Sequence, residues 1–342
     1  MIKRTACLIA RGTNPFHNLA VEKHLMDTLP EDTAILYLWQ NQHTIVIGRN
    51  QNPWYECRVE EFLASGGSIA RRLSGGGAVY HDMGNQNFTF ILPKGEFDIP
   101  KQLSVVAAAT ASFGIQAEPS GRNDLQVSGR KFSGNAFYKA GSSAYHHGTI
   151  LVDSNFSMLE RYLSVDEKKL AQHSVTSVRS RVVNLASLCP DVTISRMQEA
   201  LFLAFAKVYR RDPILLDECM LDHPTLQKIA EQFEDENWIY PAALPYGFTV
   251  SERFPWGSIT VKLQVEGGII RAAKIFTDAM EASLFGRLEQ ALPGSPYLIS
   301  SIGSRFAQKL EMLTDPTLLQ MAGDVCSLIC GKMKAIDRGH ES

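Results

Sequence analysis

The chain has 342 residues, 45% hydrophobic and 20% charged, and its 34 basic and 36 acidic side chains leave a net charge of −2. That length accommodates one large domain, or a large domain with a second, smaller one. The near-balanced charge excludes a general electrostatic drive toward nucleic acid or an anionic membrane surface.

In chain order, the opening ten residues end at Arg11-Gly12, too early for the apolar core of a signal peptide, so they are read as a first β-strand of a cytoplasmic protein. Two β-rich runs, 33–39 and 44–48, flank the polar Gln40–His43 and predict a pair of adjacent strands. Asn52-Pro53 predicts a helix start, with Asn as cap and Pro at the first position, and Gly66-Gly67 its end. Strands are expected at 68–72, 78–81 and 87–92, then an alanine-rich helix over 101–113, then strands around Leu125, 132–137 and 148–152.

From about residue 154 helices dominate. Ser195 with Gln198 reads as a capping box before the stripe Met197, Leu201, Phe205, Val208. The uncharged, proline-bracketed stretch 241–245 marks a boundary. Beyond it, 258–265 alternates, Glu266-Gly267-Gly268 turns, 269–276 returns, and Asp315-Pro316 opens a last helix. The predicted class is α+β: a large mixed-sheet domain with flanking helices over 1–244, and a small α/β domain over 245–342. Six cysteines are scattered along the chain; only Cys326 and Cys330 are close, with no further ligand type beside them. Buried thiols in a reducing cytosol are expected, and no apolar run approaches the roughly 18 residues of a membrane span.

Four segments carry chemistry. In Arg71-Arg72-Leu73-Ser74-Gly75-Gly76-Gly77-Ala78, three glycines let backbone N–H groups approach an anion, and Arg72 offers a planar cationic fork. No Gly-Lys-Ser/Thr follows, so this is not a P-loop, and the other reading of the run alone is a flexible turn with solvated arginines. In the run 121–134, a two-residue loop at Ser128-Gly129 would set Gln126 opposite Lys131 and Asp124 opposite Ser133. Asp124 and Lys131 then share a face, as a metal-holding carboxylate beside a phosphate-neutralising ammonium, or as an ordinary surface ion pair. His146-His147-Gly148-Thr149 leads into a strand; adjacent histidines point to opposite faces, so they do not share a metal, and His147 reads as a packing or hydrogen-bonding residue. The stretch 168–181 has the composition of a closing loop over a polyanion, or of a solvated basic helix and loop.

Together these segments resemble the lipoate–protein ligase A family. Its Arg-Arg-x-Ser-Gly-Gly-Gly-Ala-Val-aromatic-His-Asp run matches 71–82, its Ser-Gly-Arg-Asn-Asp-Leu run 120–125, its Lys-x-Ser-Gly-x-Ala run 131–136, its His-His-Gly-Thr run 146–149 and its Thr-Ser-Val-Arg-Ser-Arg-Val run 176–182. Residues 46–54, 252–257 and 276–278 fit as well, so the likeness spans the chain in order. Leu73 stands where the family pattern has a polar residue.

The resemblance implies a catalytic domain related to that of biotin ligases, ATP and Mg²⁺ as cofactors, and lipoate, with octanoate as a possible substitute, as the acid. The acceptors it implies are lipoyl domains of 2-oxoacid dehydrogenase E2 subunits and the glycine cleavage H protein, for a monomer that binds neither nucleic acid nor membrane. It gives Lys131 the catalytic role. It assigns Arg72, Gly77, Ala78, Val79, Tyr80, Asn85, Asn123, Asp124, Lys131, Thr149, Thr176 and Ser177 to ATP. Trp39, Val46, Arg49, Arg72, Ser74, Gly75, Gly76, Gly77, His81, Lys131 and His147 fall to lipoate, and Asp124 to Mg²⁺. Segment 170–181 matches the family's adenylate-binding loop.

Two other readings stand beside it: a lipoyltransferase working on preformed lipoyl-AMP, and a scaffold that only positions lipoyl domains, for which Arg72, Asp124 and Lys131 have no use. A biotin ligase is disfavoured because Ser74–Gly77 replaces the Arg-Gly-rich loop. No cysteine lies between Cys57 and Cys189, against transferases that work through an acyl-cysteine in that part of the fold.

Overall fold

The computed structural model describes residues 1–121, 124–163, 181–240, 247–311 and 313–339. By internal contacts the chain forms two compact units, one of Met1–Ile47, Pro53–Arg72 and Ala78–Tyr240, the other of Gly48–Asn52, Leu73–Gly77 and Pro241–Ser342.

The first unit is built on strands β1 (Arg4–Ile9), β2 (Thr33–Trp39), β6 (Asn85–Pro93), β7 (Glu118–Ser120), β8 (Asp124–Val127), β9 (Arg130–Ala140), β10 (Ser143–Leu151) and β11 (Ile214–Leu216), ordered β11-β1-β2-β6-β10-β9-β8-β7. The β11-β1-β2 pairings are parallel and the rest antiparallel. Side chains alternate across a strand, which gives the sheet two unlike faces. Ala34, Leu36, Leu38, Phe88, Phe90 and Ile150 enter one hydrophobic core with Val105, Val106 and Ala109 of helix α4 (Ile99–Ala111) and Met197, Leu201 and Phe205 of a later helix, Ile194–Tyr209. The other face carries Tyr37, Trp39, Asn87, Thr89, Tyr145, His147 and Thr149, and helix α1 (Pro15–Asp27) lies over it through Glu22.

A smaller sheet, β4-β3-β5, joins β3 (Thr44–Ile47), β4 (Ser68–Arg71) and β5 (Val79–His81). The expected pairing of 33–39 with 44–48 is therefore corrected. Both runs are strands, but His43 takes a left-handed φ of 41° and the chain passes into the second sheet. The helix expected from Pro53 is broken into α2 (Pro53–Glu56) and α3 (Val59–Ala64), because Cys57 bridges to Leu163 and the Arg58 N–H donates to the Tyr162 carbonyl at 3.0 Å.

Helices α5 (Phe156–Tyr162), α6 (Ile194–Tyr209), α7 (His223–Glu234) and α8 (Glu236–Ile239) complete this unit. The cap of α6 is Thr193, whose hydroxyl accepts from the Arg196 N–H at 3.3 Å. Ser195 lies inside the helix, and the Gln198 side chain donates to Gln86 instead of returning to the terminus. The apolar stripe of α6 is buried as its spacing predicts.

In the second unit, β12 (Phe248–Phe254), β13 (Gly257–Glu266) and β14 (Ile269–Thr277) form an antiparallel meander packed on α9 (Ala282–Ala291), α10 (Ile299–Leu310) and α11 (Pro316–Gly339). Gly267 and Gly268, at φ 58° and 72°, make the predicted turn. Asp315 caps α11 by accepting from the Thr317 N–H at 2.8 Å. No helix among the described residues is long and apolar enough to cross a membrane.

Candidate active site

The hairpin β8–β9 turns at Ser128 and Gly129, whose φ of 50° and 75° suit a two-residue loop, and Gln126 pairs with Lys131 as expected. One step further a bulge inserts Phe132, whose ring is buried in the core. Asp124 therefore faces Gly134, not Ser133. The bulge keeps Asp124 and Lys131 together: Lys131 Nζ lies 2.9 Å from Asp124 Oδ1. A Cβ on Gly134 would stand 2.9 Å from Lys131 Nζ and 3.0 Å from its Cε, so glycine makes room for the ammonium. Thr149 joins them, accepting the Gly134 N–H at 3.2 Å. The ion pair is partly open to water and contributes little stability by itself, which leaves Lys131 available to an incoming anion. Asp124 is a single carboxylate, and no group of three potential ligands is found among the described residues. That donor set suits Mg²⁺ only as an ion held mainly by substrate phosphates.

Along the same sheet face runs a buried hydrogen-bond chain. Trp39 Nε1 donates to Thr89 Oγ1 (3.0 Å), Thr89 Oγ1 donates to Glu22 Oε1 (2.8 Å), and His147 Nδ1 meets the same carboxylate oxygen at 2.8 Å. A carboxylate only accepts, so Nδ1 of His147 carries the proton. Glu22 is absent from the sequence expectations. Its helix opens with Asn14-Pro15, the same signal read at Asn52-Pro53, and Asn14 Oδ1 accepts from the N–H groups of Phe16 and His17.

The small sheet brings Val46, Val79, Tyr80, His81 and Arg71 onto three neighbouring strands, with Arg72 directly after the end of β4. Arg72 is buried and donates to the Val46 carbonyl at 3.1 Å. Burial pulls its pKa down to about 10, opposed by Tyr145 and Glu22, so it stays cationic at neutral pH. Arg71 serves the fold: its Nε and Nη2 donate to the carbonyls of Trp238 and Ile239 at 2.7 and 2.6 Å, and Trp238 Nε1 donates back to the Arg71 carbonyl. The Tyr80 ring turns into a cluster with Phe62 and Tyr162, with His43 Nδ1 3.1 Å from its hydroxyl. Asn85 is buried across from Leu151, donating to Asn87 Oδ1 at 2.8 Å.

The glycine loop belongs to the second unit. Gly76 donates its N–H to the Ala279 carbonyl (3.2 Å), and Arg49 donates its N–H to the Ser74 carbonyl (2.9 Å). A Cβ on Gly75 would stand 2.2 Å from the Ala279 oxygen, and one on Gly48 would stand 2.1 Å from the Gly76 oxygen. Close backbone packing thus demands glycine at Gly75 of the loop and at Gly48 beside it, a role that a reading for anion contact alone omits. A Cβ on Gly77 would meet nothing within 4 Å. Of the expected site residues, Asn123, Thr176 and Ser177 lie outside the described residues, as do 168–180 of the basic stretch and 241–245 of the expected boundary.

A mixed sheet carrying an enclosed polar cluster and a lysine–carboxylate pair on one face defines a class that comparison with known proteins makes specific. Residues 14–206 match the lipoyl protein ligase A/B catalytic domain, and 243–314 match the bacterial lipoate protein ligase C-terminus. The chain belongs to the lipoate–protein ligase family. It is 37% identical over 330 residues to the lipoate-protein ligase A of Psychrobacter cryohalolentis, covering 94% of this chain and 97% of that one. Among solved structures, LipL1 of P. falciparum in complex with lipoate superposes with a TM-score of 0.83 at 27% identity, over 96% of this chain and 99% of the other. The bi-partite lipoate protein ligase of Thermoplasma acidophilum, solved in work that includes its E2 lipoyl domain, has a TM-score of 0.60 at 26% identity, over 72% and 100%.

Proposed function

We propose that the chain is an ATP-dependent lipoate–protein ligase. It joins lipoate to AMP with release of pyrophosphate, then transfers the lipoyl group to a lysine of a lipoyl domain. The observation that carries this is Lys131 and its carboxylate partner on the same sheet face as the enclosed cluster of Trp39, Glu22 and His147. A carboxylate is a poor electrophile, and its attack on the α-phosphorus brings two anions together. Lys131 offsets the charge accumulating on the phosphate and on the carboxylate oxygen. Arg72, the permanent cation beside Val46, lies within the electrostatic reach of Glu22. Asp124 would hold Mg²⁺, which supplies further charge neutralisation on the phosphates.

In the second step the acceptor amine attacks the lipoyl carbonyl. The new C–N bond forms as the bond to the phosphate oxygen breaks, AMP leaves, and the amine proton passes to solvent. No enzyme nucleophile is required. Burial pushes the thiols of Cys7 and Cys57 up to about 12, which removes them as candidates.

The remaining assignments are Gly77, Ala78, Val79, the Tyr80 backbone, Asn85, Asn123, Thr149, Thr176 and Ser177 to the nucleotide, and Val46, Arg49, Ser74, Gly75, Gly76 and His81 to lipoate. Residues 245–342 form the accessory domain, and the acceptors include E2 subunits and the glycine cleavage H protein. The protein acts as a cytoplasmic monomer. Lipoate-dependent pyrophosphate release from ATP by the purified protein tests the reading. Its absence, with lipoyl transfer from supplied lipoyl-AMP intact, makes the protein a transferase instead.

A further inference from the structure

The orientation of the buried His81 ring is fixed by a run of amides whose polarity starts at a backbone carbonyl. Asn18 Nδ2 donates to the Gln40 carbonyl at 2.8 Å, so its Oδ1 faces the Tyr37 hydroxyl, from which it accepts at 3.2 Å. The same nitrogen donates to Asn41 Oδ1 at 3.0 Å, which turns Asn41 Nδ2 toward His81 Nδ1 at 3.2 Å. A second amide nitrogen, Asn87 Nδ2, lies 3.5 Å from that ring atom. Two donors converge on Nδ1, so Nδ1 is the lone-pair nitrogen and the proton of the neutral ring sits on Nε2. Burial, together with the charge of Arg72, pushes the ring's pKa down to about 3, so the tautomer holds through the neutral range. His81 Nε2 is buried and makes no hydrogen bond among the described residues. A buried donor without an acceptor is costly, and an acceptor on a ligand would remove that cost.

The sheet supplies a ruler for where on a ligand the acceptor must lie. Asn87, beside His81, pairs across β6–β10 with Thr149, and Thr149 in turn holds the Gly134 N–H next to Lys131. From β6 to β9 is two strand spacings, about 10 Å. An extended eight-carbon acyl chain spans roughly 9 Å from its carboxyl carbon. With the carboxyl group at Lys131, the far end of such a chain reaches His81 and the Trp39 indole, whose ring centroid lies 6.0 Å from that of His81.

Resting on the ligase reading above, we propose that His81 is a specificity-determining residue, its Nε2–H donating to a sulfur of the dithiolane ring. Lipoate is thereby favoured over a straight-chain eight-carbon acid, whose alkyl end leaves the N–H unpaired. Sulfur is a weak acceptor, so the discrimination from this contact is modest.

The test compares kcat/KM for pyrophosphate release with lipoate and with octanoate in the wild type, His81→Leu and His81→Gln. The wild type should favour lipoate, and His81→Leu should lower the lipoate-to-octanoate ratio about fivefold. His81→Gln, whose amide nitrogen can stand near the Nε2 position, should recover most of that ratio. A structural role would depress both acids equally, and an unchanged ratio overturns the proposal while leaving the ligase reading intact. Release with neither acid removes the ligase reading itself. Should His81→Leu fail to fold, ¹⁵N NMR of the wild-type imidazole decides. The Nε2 resonance should keep its protonated-nitrogen shift and move on adding lipoate but not octanoate, and equal movement with both acids overturns the proposal.

Discussion

Arg71 and Arg72 are neighbours in sequence with opposite duties, one tied to the carbonyls of Trp238 and Ile239, the other buried beside Val46 under the influence of Glu22. Motif spacing cannot separate them; strand alternation does. Lys131 is the sharper case. Lys131→Ala should lose about 100-fold or more in lipoyl-adenylate formation, the scale of deleting one preorganised donor. Its unfolding midpoint should barely move, because its ion pair is partly exposed. Near-normal pyrophosphate release from a folded variant would remove Lys131 from its assigned role. Asp124 and Lys131 were legible as sharing one face because hairpin arithmetic needs only the turn, although the strand partner of Asp124 is Gly134 and not Ser133. Glu22 was not: a lone carboxylate in a helix looks solvated until the fold lays that helix over Thr89 and His147.

Two further histidines at this scale bear on pH. Burial and neighbouring charge hold His81 near a pKa of 3, and burial with the nearby His147 holds His146 there too, against about 6.5 in an unfolded chain. Below pH 6.5 the unfolded state therefore binds protons that the native state refuses. Stability is full above that pH and falls as pH drops, by up to about 1.4 kcal/mol per pH unit for each ring. Denaturant unfolding at pH 7, 6 and 5 should show a loss approaching twice the single-ring slope, and His146→Gln should roughly halve it. Stability unchanged down to pH 5 would contradict the neutral, buried assignment.

At the scale of elements, the glycine loop separates packing from binding. Gly75 has the Ala279 and Met280 carbonyls where a Cβ would sit, whereas Gly77 faces open space and does not require a positive φ. Gly75→Ala should lower the unfolding free energy by about 1–3 kcal/mol, the cost of overpacking against backbone. Gly77→Ala should leave stability near the wild-type value, so that any loss of ATP affinity in it reports on binding. Equal midpoints for the two variants in thermal unfolding would show that Gly75 is not held by that contact. Most elements were readable from period and turn chemistry, including the β13–β14 hairpin and the Asp315-Pro316 start of α11. Partnership was harder. Runs 33–39 and 44–48 carry the composition of strands, but nothing local says that the chain leaves one sheet at His43 for another. The bulge at Phe132 was hidden for a similar reason, since only the core that receives its ring favours the extra residue.

At the scale of the whole molecule, the α+β class and the order of the glycine- and charge-bearing runs were legible because they depend on periodicity and glycine placement along the chain. The two unlike faces of the main sheet were not. One is filled by α4 and α6 with apolar side chains; the other keeps Trp39, Thr89, His147 and Thr149 under α1. On the proposed ligase reading that polar face is where the acid and the nucleotide meet, and it would tie family membership to a reaction. Intact-mass measurement of a lipoyl domain incubated with the purified protein, lipoate and ATP tests this most directly. The expected result is the addition of one lipoyl group to the acceptor lysine, dependent on both lipoate and ATP. No added mass, or the same addition with ATP left out, would contradict it.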